Sequence, residues 1–249
     1  MTLAIVAALH EELAAVLDLL PDERKTVVAG REFWVGHLHG HALVAVLSRI
    51  GKVAAATTAT LLIERFGAQR IVFTGVAGGL GDGVQVGDVV VARQFAQHDM
   101  DASPLFPRHE VPLYGLTRFA TDAALSNELA QAASAMLADA PRTLGADTLR
   151  AFGLQSPRLH QGLVLSGDRF VATATESAAL RREWPDALAV EMEGAAIAQV
   201  CHDAGVPFAA VRTISDRADD AAHVDFVRFI RAVASRYSAA LVDAWLRTP

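Results

Sequence analysis

The sequence predicts a single-domain α/β protein over residues 1–249, with three α/β/α layers around a central mixed β-sheet. Two observations favour this class. Apolar runs of strand length alternate with longer segments in which apolar residues recur at helical spacing. A meander of short strands over residues 25–50, divided at Gly30 and Gly40, adds antiparallel pairs to a sheet that is otherwise parallel. No linker, low-complexity run or repeat divides the chain, so one domain is expected.

The first elements follow one another in the order strand, helix and strand. Residues 2–9 form a continuous apolar run, which is typical of a strand buried on both faces. The helix after it has one apolar face and ends at Pro21. After the meander, a second helix is expected from Lys52 until Gly67 ends it. The next buried strand leads into a predicted glycine-rich turn over residues 77–83.

The rest of the chain repeats this alternation around one long loop. Residues 98–118 contain three prolines and little periodicity, so they are expected to form a loop, and loops of this length are usually functional. Residues 141–159 are expected to be an irregular surface excursion. The remaining predicted elements are a strand at 86–95, a helix at 121–140, a strand at 162–167, a helix at 175–184, a strand at 187–192, a helix at 194–205, a strand at 207–215 and a helix from His223 to Leu246.

Composition excludes several classes of protein. Apolar residue types make up 52% of the chain and charged types 20%, so wholesale disorder is excluded. The net charge is −6 and no basic block is present, which argues against nucleic-acid binding. No apolar run reaches the ~18 residues of a membrane span, and the N-terminus does not resemble a signal peptide. The single cysteine, Cys201, rules out an internal disulfide, so a cytoplasmic protein is expected.

Three local patterns do not indicate a functional site. The glycines of residues 75–83 lack the spacing of a P-loop and precede a strand rather than a helix, so a tight turn is favoured over a phosphate site. His37, His39 and His41 alternate as metal ligands on one strand would, but Gly40 interrupts them and a hairpin tip is expected. Without a G-x-S-x-G motif, a serine hydrolase is not supported. We therefore expect neither a metal nor an organic cofactor.

Acidic residues at the ends of predicted strands are more informative. Glu12 follows the first strand, and Glu191 and Glu193 lie where a later strand turns into a helix. Asp216 follows a very apolar strand that contains Arg212. Each carboxylate alone could cap a helix or lie at the surface, but strand ends of an α/β sheet gather at one edge, so a shared site is favoured. Such carboxylates can activate a water and protonate a leaving group in a hydrolysis that passes through a cationic transition state.

Four motifs are specific when they are taken together. They are IVAALHEEL at 5–13, SGDRF at 166–170, VEMEG at 190–194 and ISDRAD at 214–219. In these motifs the chain resembles the bacterial and plant 5′-methylthioadenosine/S-adenosylhomocysteine nucleosidases of the nucleoside phosphorylase superfamily. The resemblance extends over almost the whole chain and is poor over residues 21–45 and 102–160. It implies a nucleoside phosphorylase-like fold and hydrolysis of the N-glycosidic bond of a 5′-thioadenosine, without a cofactor.

The resemblance also implies a role for each acidic residue. Glu12 would activate the water, Asp216 would protonate adenine at N7, and Glu193 would bind the ribose 2′-hydroxyl. Asp216 must then hold a proton near neutral pH, and its apolar strand predicts a raised pKa. The residues implied to contact the nucleoside are Leu9, Ile50, Val76, Ala77, Gly78, Phe170, Val171, Glu191, Met192, Arg212 and Phe226.

Two positions depart from the family pattern. Val76 replaces the usual serine, which removes a hydroxyl that related phosphorylases use for phosphate, and Arg49 stands where glycine is usual. The resemblance further implies a homodimer in which the loop after residue 101 closes the partner's site, and methionine salvage as one pathway. The accepted 5′ substituent stays open. So do two alternative functions: phosphorolysis or hydrolysis of another purine nucleoside and, from a different class, non-catalytic nucleoside binding or storage.

Overall fold

The computed structural model describes residues 1–218 and 226–247. Within these ranges, ten strands form one sheet. They are β1 (Thr2–Ala7), β2 (Arg24–Val28), β3 (Arg31–Leu38), β4 (His41–Leu47), β5 (Ala68–Gly79), β6 (Val89–Gln97), β7 (Phe119–Ala120), β8 (Leu159–Ser166), β9 (Ala187–Glu191) and β10 (Phe208–Asp216).

Helices separate most of these strands. They are α1 (His10–Leu17), α2 (Lys52–Phe66), α3 (Ala123–Ala138), α4 (Ala140–Leu144), α5 (Ala146–Ala151), α6 (Ala174–Glu183), α7 (Gly194–Ala204), α8 (Phe226–Phe229) and α9 (Ser235–Arg247), and a π-helical turn over Ile230–Ala234 joins the last two. In the part of the chain that is described, none of these helices is both long and apolar enough to cross a bilayer.

The sheet is open at one end and closed at the other. β1 pairs in parallel with β4 on one side and with β5 on the other, and β4, β3 and β2 continue as the predicted antiparallel meander. At the other end β5 pairs with β10, β10 with β6, β6 with β8 and β8 with β9. Gly78 and Gly79 of β5 then pair with β9, so these five strands form a closed ring.

Helices cover both faces of the sheet. α1, α3 and α9 pack together on one face over a core that includes Ile5 and Leu129. α2 and α7 cover the other face over Phe33 and Phe73. Full burial of one such side chain stabilises the fold by about 1.5–3 kcal/mol. The predicted α/β/α layers and the mixed central sheet are therefore confirmed.

The predicted glycine-rich turn is wrong at its start. Ala77–Gly79 belong to β5, because β10 and β9 form backbone hydrogen bonds with this stretch from both sides. The chain leaves the sheet only after Gly79. This extension carries the backbone of β5 to the edge of the sheet where strands end.

Two predictions about irregular and helical segments also need correction. Residues 141–159 were expected to be irregular, but they contain α5 and most of α4. The last helix is interrupted by the π-helical turn rather than continuous. The predicted start of that helix, His223 to Asp225, lies outside the described residues, as does Asp219 of the ISDRAD motif.

Candidate active site

A pocket of about 150 Å³ opens where β1, β5, β9 and β10 end, and we call it the inner pocket. Most of its wall is apolar, and three carboxylates line it: Glu191 at the end of β9, Glu193 just before α7 and Asp216 at the end of β10. Its lining residues are Ala8, Leu9, Ile50, Val76, Ala77, Gly78, Arg169, Phe170, Val171, Val190, Glu191, Met192, Glu193, Ser215, Asp216 and Phe226. A largely apolar pocket with a few convergent polar groups is typical of a small-molecule site.

Glu12 lies behind the wall of the inner pocket, in the first turn of α1. Its side chain is 0% exposed, and its Oε2 accepts a hydrogen bond from the backbone N–H of Leu9 at 3.3 Å. Its Oε1 is buried and has no partner. Burial raises the pKa of Glu12 to about 7, and the nearby Arg212 charge opposes this increase. An unpartnered acceptor in such a place can take a hydrogen bond from a water molecule.

Arg212 brings a buried positive charge beside Glu12. It lies on β10, is 1% exposed, stacks over the ring of Phe73 at 3.6 Å and donates from Nη2 to Glu191 at 2.6 Å. Gly75 on β5 makes this possible, because a Cβ there would lie 2.6 Å from Arg212 Nη1 and 3.4 Å from Glu12 Oε2. A side chain at position 75 would therefore displace the guanidinium.

Glu191 is held by donors of the protein itself. Its Oε1 accepts from the Ser166 hydroxyl, and its carboxylate accepts from the backbone N–H groups of Glu193 at 3.1 Å and Gly194 at 2.9 Å. Together with Arg212, these donors occupy both oxygens. The Ser166 hydroxyl also accepts from the N–H of Ala195 at 2.8 Å, so Ser166 and Glu191 tie β8 and β9 to the start of α7.

Glu193 is placed at the start of α7 and reaches across to the start of α2. Its Oε1 accepts from the N–H of Gly51 at 2.8 Å. Burial, and next the negative charge of Glu191, raise the pKa of Glu193. The Glu193 side chain also lines the inner pocket.

Asp216 ends β10 on the opposite side of the inner pocket. Its Oδ2 accepts from the Ser215 hydroxyl at 2.7 Å, and its Oδ1 accepts from the N–H of Ala218 at 2.8 Å. Gly78 leaves room for this arrangement, because a Cβ there would lie 3.0 Å from Asp216 Oδ1 and 2.9 Å from the Cβ of Ala218.

The apolar wall contains two aromatic rings that lie edge to face. The ring centroids of Phe170 and Phe226 are 6.1 Å apart. Phe170 is half-exposed, whereas Val171 next to it is buried. Such a wall can hold a flat heterocycle and an uncharged sugar ring by apolar contact.

The structure brings the predicted residues together. All of them line the inner pocket except Glu12 and Arg212, which lie buried behind it. The sequence reasoning missed Ala8, Arg169, Val190 and Ser215, each of which neighbours a predicted residue in the chain. The sequence reasoning also missed that Ser166 holds Glu191 in place. The position of this serine at the end of a buried strand could have indicated such a role. Within the described ranges, no cluster of His, Cys, Asp or Glu is arranged to hold a metal.

A known family matches almost the whole chain. The model of the phosphorylase superfamily matches residues 2–247. The chain is 34% identical to a 5′-methylthioadenosine/S-adenosylhomocysteine nucleosidase of Shewanella halifaxensis over 247 residues, 99% of each chain. It is 35% identical to the enzyme of the same name from Shewanella denitrificans over 246 residues, again 99% of each chain.

Solved structures give the same result in three dimensions. The Neisseria meningitidis nucleosidase of that name, in complex with methylthio-immucillin-A, has a TM-score of 0.86 and 33% identity, covering 100% of this chain and 99% of its own. Futalosine hydrolase of Helicobacter pylori has a TM-score of 0.84 and 31% identity, with 100% and 98% coverage.

Proposed function

The chain belongs to the 5′-methylthioadenosine/S-adenosylhomocysteine nucleosidases of the phosphorylase superfamily, and from this we propose that it hydrolyses the N-glycosidic bond of both nucleosides. The products are adenine and the corresponding 5-thioribose. One observation carries the proposal: the unpartnered oxygen of Glu12 is buried on one side of the inner pocket, and Asp216 lies on the other.

Glu12 acts as the general base. Its unpartnered Oε1 accepts the proton of the attacking water. The positive charge of Arg212 beside it favours the ionised form of Glu12. The pKa of Glu12, about 7, suits this task, because a base works best when its pKa lies near the working pH.

Asp216 acts as the general acid and protonates N7 of adenine as the base leaves. Its hydrogen bonds from Ser215 and Ala218 fix the carboxyl group at the edge of the inner pocket. Phe170 stacks near adenine, and the backbone of Val171 reads the edge of the base; both residues line the pocket.

Glu193 binds the ribose 2′-hydroxyl and stabilises the positive charge that develops on the sugar. The Gly51 N–H fixes one oxygen of Glu193, and the carboxylate lines the inner pocket, where the ribose would lie. Met192 and Phe226 pack on the ribose, and Leu9 and Ile50 line the 5′-alkylthio end. The role of Glu191 differs from the direct contact suggested by the sequence: its oxygens are occupied, so it positions Glu193 and Arg212.

Water is favoured over phosphate as the second substrate. A phosphate needs cations and hydroxyls near Glu12, but Arg212 is already paired with Glu191 at 2.6 Å and Val76 supplies no hydroxyl. Two carboxylates, Glu12 and Glu193, would also repel an anion there.

Adenine release tests the proposed function. The purified protein is incubated with 5′-methylthioadenosine, S-adenosylhomocysteine and adenosine, with phosphate absent and then present, and the free base is measured by chromatography. We expect release from both thioethers without phosphate. Phosphate-dependent release would instead indicate a phosphorylase, and adenine binding without any turnover would indicate a non-catalytic relative.

We also propose a homodimer, acting in the cytoplasm in methionine salvage. Large apolar side chains at the start of α2 and in the loop 98–118 support a partner surface, since Ile50, Val53, Leu105 and Leu113 are 61%, 79%, 84% and 91% exposed. Light scattering coupled to size-exclusion chromatography measures the mass. A mass of one chain across the micromolar range would contradict the dimer.

A further inference from the structure

The loop between β8 and α6, residues 167–173, carries the two residues proposed to bind the base, and we call it the base loop. Phe170 and Val171 of this loop line the inner pocket. Gly167, its first residue, is still joined to the sheet, because its N–H donates to the carbonyl of Glu191 at 3.1 Å. The contacts that hold the loop beyond Gly167 therefore determine where the base lies.

A closed cycle of three hydrogen bonds holds the base loop at Asp168. The Nζ of Lys52, at the start of α2, donates to Asp99 Oδ1 at 2.6 Å. The N–H of Asp168 donates to Asp99 Oδ2 at 2.8 Å, and Asp168 Oδ1 accepts from the N–H of Lys52 at 2.7 Å. Each of the three residues thus contacts the other two, although they come from segments that are distant in sequence.

The ion pair of this cycle is partly buried. The side chains of Lys52 and Asp99 are 15% and 31% exposed, and Lys52 Nζ also donates to the buried Gln97 at 3.0 Å. An ammonium group in such a place is costly unless it is hydrogen-bonded. The other lysine of the chain, Lys25, instead pairs with Glu32 in the open, where ion pairs contribute little. Lys52 is therefore not an ordinary surface cation.

The carboxyl group of Asp99 is ionised in this cycle. Burial alone would raise the pKa of Asp99, but the hydrogen bonds from Lys52 and from the Asp168 N–H outweigh burial and lower the pKa. Asp99 therefore accepts on both oxygens as a carboxylate, and its hydrogen bond from Lys52 is charge-assisted.

The start of α2 also holds the carboxylate that is proposed to bind the ribose. Gly51 and Lys52 offer successive backbone N–H groups, and α2 has no acidic residue in its own first turn to accept from them. Glu193 accepts from the first N–H at 2.8 Å and Asp168 from the second at 2.7 Å. The ribose-binding carboxylate and the base loop are therefore anchored at neighbouring residues, which favours a fixed orientation of the sugar relative to the base.

We propose that Lys52 and Asp99 are positioning residues that fix the base loop against the start of α2. This inference rests on the proposed function. Neither residue lines the inner pocket, so both act through Asp168 on the neighbouring Phe170 and Val171. When the cycle is broken, the base loop samples other positions and the nucleoside binds less tightly.

A split between KM and kcat tests this role. Lys52→Met removes the ammonium group and keeps the aliphatic stem, and Asp99→Ala removes both acceptor oxygens. We expect each change to raise KM for 5′-methylthioadenosine about 10-fold, as the loss of one charge-assisted contact predicts. The kcat should stay close to that of the wild type, because Glu12, Asp216 and the backbone N–H of Gly51 are unchanged. A fall in kcat with an unchanged KM would contradict the inference.

A double variant and a matched control show whether the two residues act together. Lys52→Met combined with Asp99→Ala should raise KM no more than either change alone, because both break the same cycle. Multiplication of the two effects, to about 100-fold, would indicate independent roles and overturn the inference. Lys25→Met breaks the exposed pair with Glu32 and should leave KM unchanged.

Hydrogen–deuterium exchange measures the base loop directly. Asp99→Ala and Lys52→Met should speed exchange in a peptide that covers the base loop. A peptide from β4 should exchange as in the wild type, which shows that the variants fold. Unchanged exchange in the base loop would overturn the inference, and so would faster exchange without a rise in KM.

Failure of the proposed function gives a different result. If the wild type does not hydrolyse 5′-methylthioadenosine, the proposed function is wrong, whereas the exchange measurement still reports on the cycle. Calorimetric titration of adenine into the wild type and Lys52→Met then takes the place of KM. Equal adenine affinities of the two proteins would overturn the inference.

Discussion

At the scale of single residues, Asp216 is the clearest test of the proposed chemistry. Asp216→Asn keeps the shape of the side chain but removes the transferable proton. We expect kcat to fall about 10²–10⁴-fold with little change in thermal stability, measured by adenine release and by circular dichroism. The matched control is Asp82→Asn, an exposed residue in the turn after β5, which should keep full activity. Near-normal hydrolysis by Asp216→Asn would refute its role as the acid.

The buried carboxyl of Glu12 gives the reaction a predicted pH profile. A base must be ionised, and the pKa of Glu12 is raised to about 7 by burial. We therefore expect kcat/KM for 5′-methylthioadenosine to fall about tenfold per pH unit below about pH 7. Glu193 lies close and also titrates upward, so the measured pKa belongs to the pair. A flat profile between pH 5 and pH 8 would contradict this prediction.

Ionisation of buried Glu12 should allow activity but lower the stability of the fold. The folded state holds the Glu12 proton more tightly than the unfolded state does, so stability falls as pH rises from about 4.5 to about 7. Glu12→Gln should abolish turnover yet raise the free energy of unfolding at pH 8 by at most about 3 kcal/mol, with little effect at pH 4.5. Urea denaturation at both pH values measures the free energy of unfolding, with the exposed-site variant Glu64→Gln as the control. Equal stability changes at both pH values would argue against a buried charge.

At the scale of the elements, the close approach of β5 and β10 determines where the buried cation lies. Gly75→Ala places a Cβ within 2.6 Å of Arg212 Nη1, so the guanidinium must move and its contact with Glu191 is lost. We expect the free energy of unfolding to fall by about 1–3 kcal/mol. Most of the activity should also be lost.

A substitution at Gly67 serves as the control, because it shows how much stability any glycine-to-alanine change at a positive φ would cost. Gly67 ends α2 with a φ of +62° and has open space around its Cβ. Gly67→Ala should cost about 1 kcal/mol of stability through the backbone alone and leave kcat unchanged. If Gly75→Ala behaved in the same way, the crowding of Arg212 would have no catalytic consequence.

The elements also show what could be predicted from the sequence. Strands and helices with strong periodicity, such as β1 and α2, are found where their patterns place them. The sequence predicts a turn at the glycines that end β5. They form a strand only because they pair with β9 and β10, which are distant in sequence. Residue motifs identified the wall of the inner pocket, but no local pattern shows that the oxygens of Glu191 are already occupied by donors from β8, α7 and β10.

At the scale of the whole molecule, a ligand that fills the inner pocket should stabilise the entire fold. Its walls come from the segment after β1 and from β5, β9 and β10, so a bound molecule contacts parts of the chain that are distant in sequence. Methylthio-immucillin-A at about 1,000 times its Kd should add about 4 kcal/mol, which raises Tm by about 10 °C in a chain of this length. Differential scanning fluorimetry measures the shift, with cytidine as the control ligand. An unchanged Tm would show that the inhibitor does not bind the folded chain.

The closed ring of five strands has a consequence for how this protein can diversify. Glu193 and Asp216 belong to the ring or to its immediate continuation, and Glu12 begins the helix after the neighbouring β1. The residues proposed to contact the 5′ substituent, Leu9 and Ile50, lie instead in connecting segments. Insertions and deletions in those segments leave the ladder of the ring untouched. Over evolutionary time, lineages can exchange the thioether they consume while inheriting the acid–base apparatus intact.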